Sequence, residues 1–404
     1  MRYVSTRGES EVPDFSDALV AGLAPDGGLF VPETTVELPR EWSGWSYREA
    51  VSGALGLFGA RDVADLVDEA ASRFSHAEVA PIVPVGDRMV MELFHGPTLS
   101  FKDHALQVLA RLLAREVDQG IVLGATSGDT GSAAIEACRG MQALRIVILF
   151  PDGKVTEFQR RQMTTVANAN VHAVAVRGTF DDCQAMVKEA FSNRPDLLAI
   201  NSINWARIAV QVGYYIYAGA QMRDEFDVAV PTGNFGNVYS CWTAKRMGVP
   251  IRHITIANNA NHALADLVEK GVMRPSEVLA TSAPAMDIQV PSNLERFSGD
   301  PTAEFHAGWS SDDEIAATIQ AVAEEHGYVL DPHTATAWRA VRDQSDGVPQ
   351  LVVSTAHPAK FADAVFRATG VRPAAPDRFS NLHELEERYH TIDPDASELD
   401  QFIR

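Results

Sequence analysis

From about Met89 onward the chain repeats one pattern: a short apolar run, then a glycine turn or polar break, then an amphipathic segment. Strands that alternate with helices in this way build parallel sheets, because each helix carries the chain back to begin the next strand in the same direction. Five such pairs stand out. Ile121–Leu123 precedes a helix from about Thr130, Leu144–Phe150 precedes Val155–Val166, and Val171–Val176 precedes Asp181–Phe191. Phe226–Val230 precedes Asn237–Met247, and Gln350–Ser354 precedes Pro358–Ala368. The expected class is therefore α/β. Two of the turns, around Gly128 and Gly233, are glycine-rich, and their wide separation suits two sheets or half-domains facing across a cleft.

At 404 residues the chain exceeds one ordinary core, and about 150 residues per domain suggests two or three units. Residues 1–90 carry few strong β runs, several prolines, a helix-like stretch at Asp62–Phe74 and a turn at Pro25–Gly28, so they read as a separate N-terminal unit. The expected division is 1–90, 91–205 and 206–404. Ser311 and Glu314 are spaced as a capping box before a helix to His326, with Ile315, Ile319 and Val322 on its apolar face.

Charge excludes some partners. Lys and Arg total 34 against 54 Asp and Glu, a formal net charge of −20, so nucleic acid and anionic membranes are repelled overall. An anionic small substrate then needs a local basic pocket. No run approaches the roughly 18 apolar residues of a membrane span, and Met1–Arg7 lacks the apolar core of a signal peptide, which makes a cytoplasmic location the expectation. The cysteines Cys138, Cys183 and Cys241 are odd in number and far apart, so no disulfide framework is expected. The 12 histidines show no HExxH, and no metal site is expected.

Four segments could carry chemistry. In Glu92–His104 (ELFHGPTLSFKDH), Lys102 sits beside an aromatic residue at a helix start, where desolvation would leave a neutral amine able to attack an aldehyde. Taken alone, such a lysine is more often a solvated surface charge. Pro231–Asn237 (PTGNFGN) places Gly233 and Gly236 between a strand and a helix, so that backbone N–H groups converge on an anion; a plain turn is the equally weighted alternative. Gly124–Gly131 (GATSGDTG) follows a strand and opens a helix, and its hydroxyls and amides suit a carboxylate. Ser354–Pro358 (STAHP) lies at the carboxyl end of a late strand, where open α/β sheets meet their ligands.

These four segments, in this order, resemble the threonine synthase family, within the tryptophan-synthase-β-like group of pyridoxal-phosphate enzymes. The likeness begins at Tyr3–Arg7 (YVSTR) and Gly22–Phe30 (GLAPDGGLF), continues through HGPTLSFKD, GATSGDTG and PTGNFGN, and ends with STAHPAKF at Ser354–Phe361. It implies the fold type II architecture, two parallel-sheet α/β domains plus an N-terminal extension, with pyridoxal 5'-phosphate as coenzyme. The implied reaction converts O-phospho-L-homoserine and water to L-threonine and phosphate, in threonine biosynthesis, by a monomer or homodimer.

Residue by residue, the resemblance makes Lys102 the lysine that holds the coenzyme as a Schiff base. Gly233, Asn234, Phe235, Gly236 and Asn237 become the loop around the coenzyme phosphate, and Thr355 the partner of its ring nitrogen. Ser127, Gly128, Asp129 and Thr130 would hold the substrate carboxylate, while Asn201, Ser202 and Arg207, with Lys154 as a weaker addition, would hold the substrate phosphate. Asp129 is also expected near the coenzyme's phenolic oxygen, where two negative charges repel, so its pKa is expected to be raised. His104 departs from an often aromatic position and is expected to alter the charge beside Lys102. Deaminases and sulfhydrylases of the same fold are the nearest competing reading; Arg207 argues against them, since their substrates carry no γ-phosphate.

Overall fold

The computed structural model describes residues 1–194, 196–341 and 347–403. All five expected strand and helix pairs are present: strands Gly120–Ala125, Leu144–Pro151, Val171–Val176, Phe226–Pro231 and Gln350–Ser354 precede helices Asp129–Cys138, Glu157–Thr164, Phe180–Asn193, Gly236–Met247 and Ala362–Thr369. A single 3-10 turn, Pro358–Phe361, intervenes before the last of these.

The strands sort into two large sheets. The smaller is parallel throughout, in the order His390–Ile392, Val171–Val176, Leu144–Pro151, Gly120–Ala125, Leu198–Ala199. The larger runs Phe305–Trp309, Ile251–Asn258, Phe226–Pro231, Gln350–Ser354, Arg88–Glu92, Ile82–Val85, and only the last pairing is antiparallel. Thus Arg88–Glu92 pairs with a strand from far down the sequence, and His390–Ile392 returns to the smaller sheet. Leu123, Val147, Val174, Val228, Val230 and Val352 are almost wholly buried, as strands covered on both faces require.

Residues near the amino terminus form a three-stranded antiparallel sheet, Glu11–Val12, Tyr3–Ser5, Phe30–Pro32, that the apolar pattern does not announce, since its strands are two or three residues long. Helix Tyr47–Leu57 then packs on Trp205–Met222, a helix whose residues from Trp205 to Ala220 are all buried. At their crossing a Cβ on Gly213 would lie 2.7 Å from the Val51 Cα, so glycine is what lets the two backbones approach. Asp312–His326 begins at the expected Ser311–Glu314 capping box and buries Ile315, Ile319 and Val322. The three cysteines are free and buried. Among the described residues no helix is long and apolar enough to cross a membrane.

Candidate active site

Every site motif follows the carboxyl end of a strand. Lys102 is the first residue of helix Lys102–Glu116, where the positive end of the helix dipole disfavours a further positive charge. Its ammonium has one weak contact, 3.4 Å to Asp129 Oδ2, and lies 4.8 Å from the centre of the Phe101 ring. Burial, followed by the nearby charges of Arg207 and Lys360, pushes the amine below the usual lysine range against the pull of Asp129. The surface-charge reading of Lys102 therefore fails. The Phe101 N–H donates to the Thr355 carbonyl at 2.8 Å, which ties the start of this helix to the end of strand Gln350–Ser354.

Asp129 corrects an expectation. Burial alone would raise its carboxyl, but Lys360 and then Lys102, with a hydrogen bond from Gln159 Nε2 at 2.8 Å, hold it far below the ordinary range. The cation that outweighs a repelling phenolic oxygen is the second lysine, Lys360, whose Nζ is 2.9 Å from Asp129 Oδ1. Gly128 is buried with φ of 138°, and a Cβ there would strike Gln159 at 2.5 Å. Thr126 Oγ1 accepts from the N–H groups of Gly128 and Gly131 at 2.9 and 2.8 Å, shaping the turn. Ser127 is exposed and Thr130 half-buried at its mouth.

After strand Phe226–Pro231 of the larger sheet, Phe235 takes the left-handed conformation (φ 65°) just before helix Gly236–Met247. A side chain held there costs about 1–3 kcal/mol, and packing of its buried ring edge-on against Phe297 and Phe305 offsets that strain. Gly233 is needed for close packing rather than for a left-handed turn, since its φ is not positive and a Cβ would meet the Ala285 carbonyl oxygen at 2.8 Å. Asn234 Nδ2 donates to the Ser202 hydroxyl, and its Oδ1 accepts from the Ser292 N–H at 2.8 Å. Asn237 Oδ1 accepts from Tyr214 and Tyr215 at 2.5 and 2.8 Å, while its Nδ2 is buried with no partner.

Further unmet groups surround this loop. Asn293, whose N–H donates to the Asn234 carbonyl, has a buried unpaired Nδ2, and Asn258 has an unpaired Oδ1 while its Nδ2 donates to Thr232. Arg207, 3% exposed, has an unpaired Nε and a single long bond, Nη1 to the Ile200 carbonyl at 3.5 Å. Buried groups rarely stay unpaired. Unspent polar groups near a helix amino terminus, together with a poorly solvated lysine, fit a group carrying both a phosphate and an aldehyde.

The other expected residues fall unevenly. Asn201 and Ser202 are half-buried just before helix Trp205–Met222, and Asn201 Oδ1 caps the Ile203 N–H at 3.3 Å. Lys154 is exposed, and its charge acts on Asp182 and Cys183 rather than at Arg207. His104 also differs from expectation. The Leu93 carbonyl can only accept, so Nε2 carries the proton (3.1 Å) and Nδ1 accepts from the Tyr47 hydroxyl at 2.7 Å. Burial lowers this imidazole to about 3, so it adds no charge beside Lys102 and instead fastens the N-terminal helix Tyr47–Leu57 to the site helix.

That gives a pH prediction. A histidine held neutral by burial binds its proton more readily unfolded, so its contribution to stability is complete above 6.5 and is lost as pH falls toward about 3. Between pH 7 and 5 the parent should lose about 2 kcal/mol more than His104→Gln, measured by urea unfolding. Equal losses would mean that the ring is not held neutral.

Fold and site together define a class. The description "Pyridoxal-phosphate dependent enzyme" matches residues 89–356, and "Threonine synthase N terminus" and "Threonine synthase, C-terminal" match residues 2–70 and 334–403. The chain is a pyridoxal-phosphate dependent enzyme. It is 39% identical to a threonine synthase of Pseudomonas aeruginosa, over 100% of this chain and 98% of that protein. It is 36% identical to one of Methylobacillus glycogenes, over 100% and 99%. The crystal structure of a PLP-bound threonine synthase from Brucella melitensis superposes with a TM-score of 0.94 at 40% identity, covering 100% of this chain and 98% of that one. The chain belongs to the threonine synthase family.

Proposed function

We propose that this enzyme converts O-phospho-L-homoserine and water to L-threonine and phosphate, the last step of threonine biosynthesis, in the cytoplasm as a monomer or homodimer. The observation that carries the substrate assignment is Arg207: a buried guanidinium with hydrogen-bonding capacity left over, close enough to Lys102 to depress its amine. A cation so placed suits a substrate whose γ-carbon bears a phosphate and whose α-carbon must meet Lys102.

When bound, pyridoxal phosphate supplies the electron sink for loss of the substrate's Cα and Cβ protons and of its phosphate. Lys102 would hold the coenzyme and move the proton at the substrate's Cα, a task its depressed basicity suits. The amides of Gly233–Asn237 hold the coenzyme phosphate at the helix amino terminus, and the turn Ser127–Thr130 holds the substrate carboxylate. Arg207, Asn201 and Ser202 hold the substrate phosphate, with Lys154 a weaker addition. Incubation with O-phospho-L-homoserine should release phosphate and threonine in equal amounts. Deaminase or sulfhydrylase turnover exceeding that reaction would reverse the assignment.

Thr355 is assigned to the coenzyme's ring nitrogen. It is 6% exposed at the end of its strand, and a hydroxyl there cannot stabilise a pyridinium as a carboxylate would. Thr355→Asp should therefore raise the proton affinity of that nitrogen and increase transamination relative to threonine formation, scored by oxo-acid release. An unaltered product ratio would show that Thr355 does not set the proton.

A further inference from the structure

Lys360, in the Pro358–Phe361 turn, is 1% exposed, a position lysine almost never takes unless paired. Its three N–H donors meet three acceptors: the Thr98 carbonyl at 2.7 Å, Gln162 Oε1 at 3.1 Å and Asp129 Oδ1 at 2.9 Å. The acceptors are themselves braced. Gln162 Nε2 donates to the same Thr98 carbonyl at 3.1 Å, and Thr98 donates its N–H and hydroxyl to Asp103 at 2.8 and 2.7 Å. Lys102, by contrast, has the single 3.4 Å contact to the other oxygen of Asp129.

One carboxylate thus stands between two lysines, one buried and one largely so, and the two are unequal. An ammonium with every donor met loses much by deprotonating, whereas one with a lone stretched contact loses little. We propose that Lys360 is a positioning residue for the reaction: an ammonium held by three acceptors that claims Asp129 and so leaves Lys102 as the lysine that gives up its proton. This rests on the reading that Lys102 bonds the coenzyme. Removing the Lys360 charge frees Asp129 to pair with Lys102 and removes a repelling cation, and both changes make Lys102 hold its proton more tightly.

The charged groups facing this cluster are Arg207, which acts on Lys102 from helix Trp205–Met222, and Asp103, which acts on Lys360 from helix Lys102–Glu116. Arg207 pushes Lys102 in the same direction as Lys360. Asp103, raised by burial to about 6, loses negative charge on acidification and so leaves the ammonium of Lys360 to Asp129.

The test uses the full-length chain freed of coenzyme. Acetylation of Lys102 by acetic anhydride, followed across pH by mass spectrometry of its peptide, reports the neutral amine directly. Lys360→Met and Lys360→Gln should move the midpoint up by about 1–2 pH units, whereas Lys360→Arg should stay near the parent. Lys360→Gln keeps a donor for the Thr98 carbonyl, so it serves if the methionine variant does not fold. A parent-like midpoint in either folded neutral variant overturns the proposal. Failure of the underlying reading looks different: Lys102→Ala would then still bond the coenzyme, whatever the midpoints show.

Discussion

Lys102→Ala is expected to yield a colourless protein with threonine formation reduced by roughly 10⁴-fold or more, the upper range for a general base that also makes the covalent bond. The second lysine does not substitute. Lys360 is fixed by three acceptors, whereas Lys102 combines a largely buried side chain with an almost unbonded amine. The measurement is the visible coenzyme band after gel filtration, together with phosphate release from O-phospho-L-homoserine. A yellow, active Lys102→Ala protein would remove the centre of the assignment.

Arg207→Ala should lower kcat/KM for the phosphorylated substrate by roughly 30- to 1000-fold, the equivalent of about 2–4 kcal/mol for an unmade charged bond in a closed site. The coenzyme band should remain, because Arg207 touches no residue of the Gly233–Asn237 loop through a hydrogen bond. Lys should rescue only in part, since a point charge cannot reproduce the two-pronged guanidinium. Near-normal kcat/KM in Arg207→Ala would make the arginine structural and place the phosphate elsewhere in the cleft.

The legible parts of the site were those written in contiguous motifs. Lys102 was read from its aromatic neighbour and helix start, and the Gly128 and Gly233 turns from glycines between a strand and a helix. Both turns stand at carboxyl ends of strands, in different sheets. Lys360 was visible only as part of a family run, because nothing local distinguishes a buried lysine from a surface one. Gln159 and Gln162 gave no signal, being ordinary helix residues until the fold turns them toward Asp129 and Lys360. His104 was misread for the same reason: its neutrality comes from Tyr47 and the Leu93 carbonyl, neither of which its own sequence neighbourhood specifies.

The sequence by itself determined the strand and helix alternation, the capping of Asp312–His326 and the positions of the glycine turns, because periodicity, caps and turn conformations depend on residues only a few places apart. Sheet order, the return of His390–Ile392 to the smaller sheet and the ionic balance around Asp129 were decided by tertiary structure alone. Strand pairing over long separations depends on which apolar faces cover one another. A carboxyl group's charge depends on every cation within a few ångströms, and here the stronger of the two comes from a turn distant in sequence that the fold brings beside it.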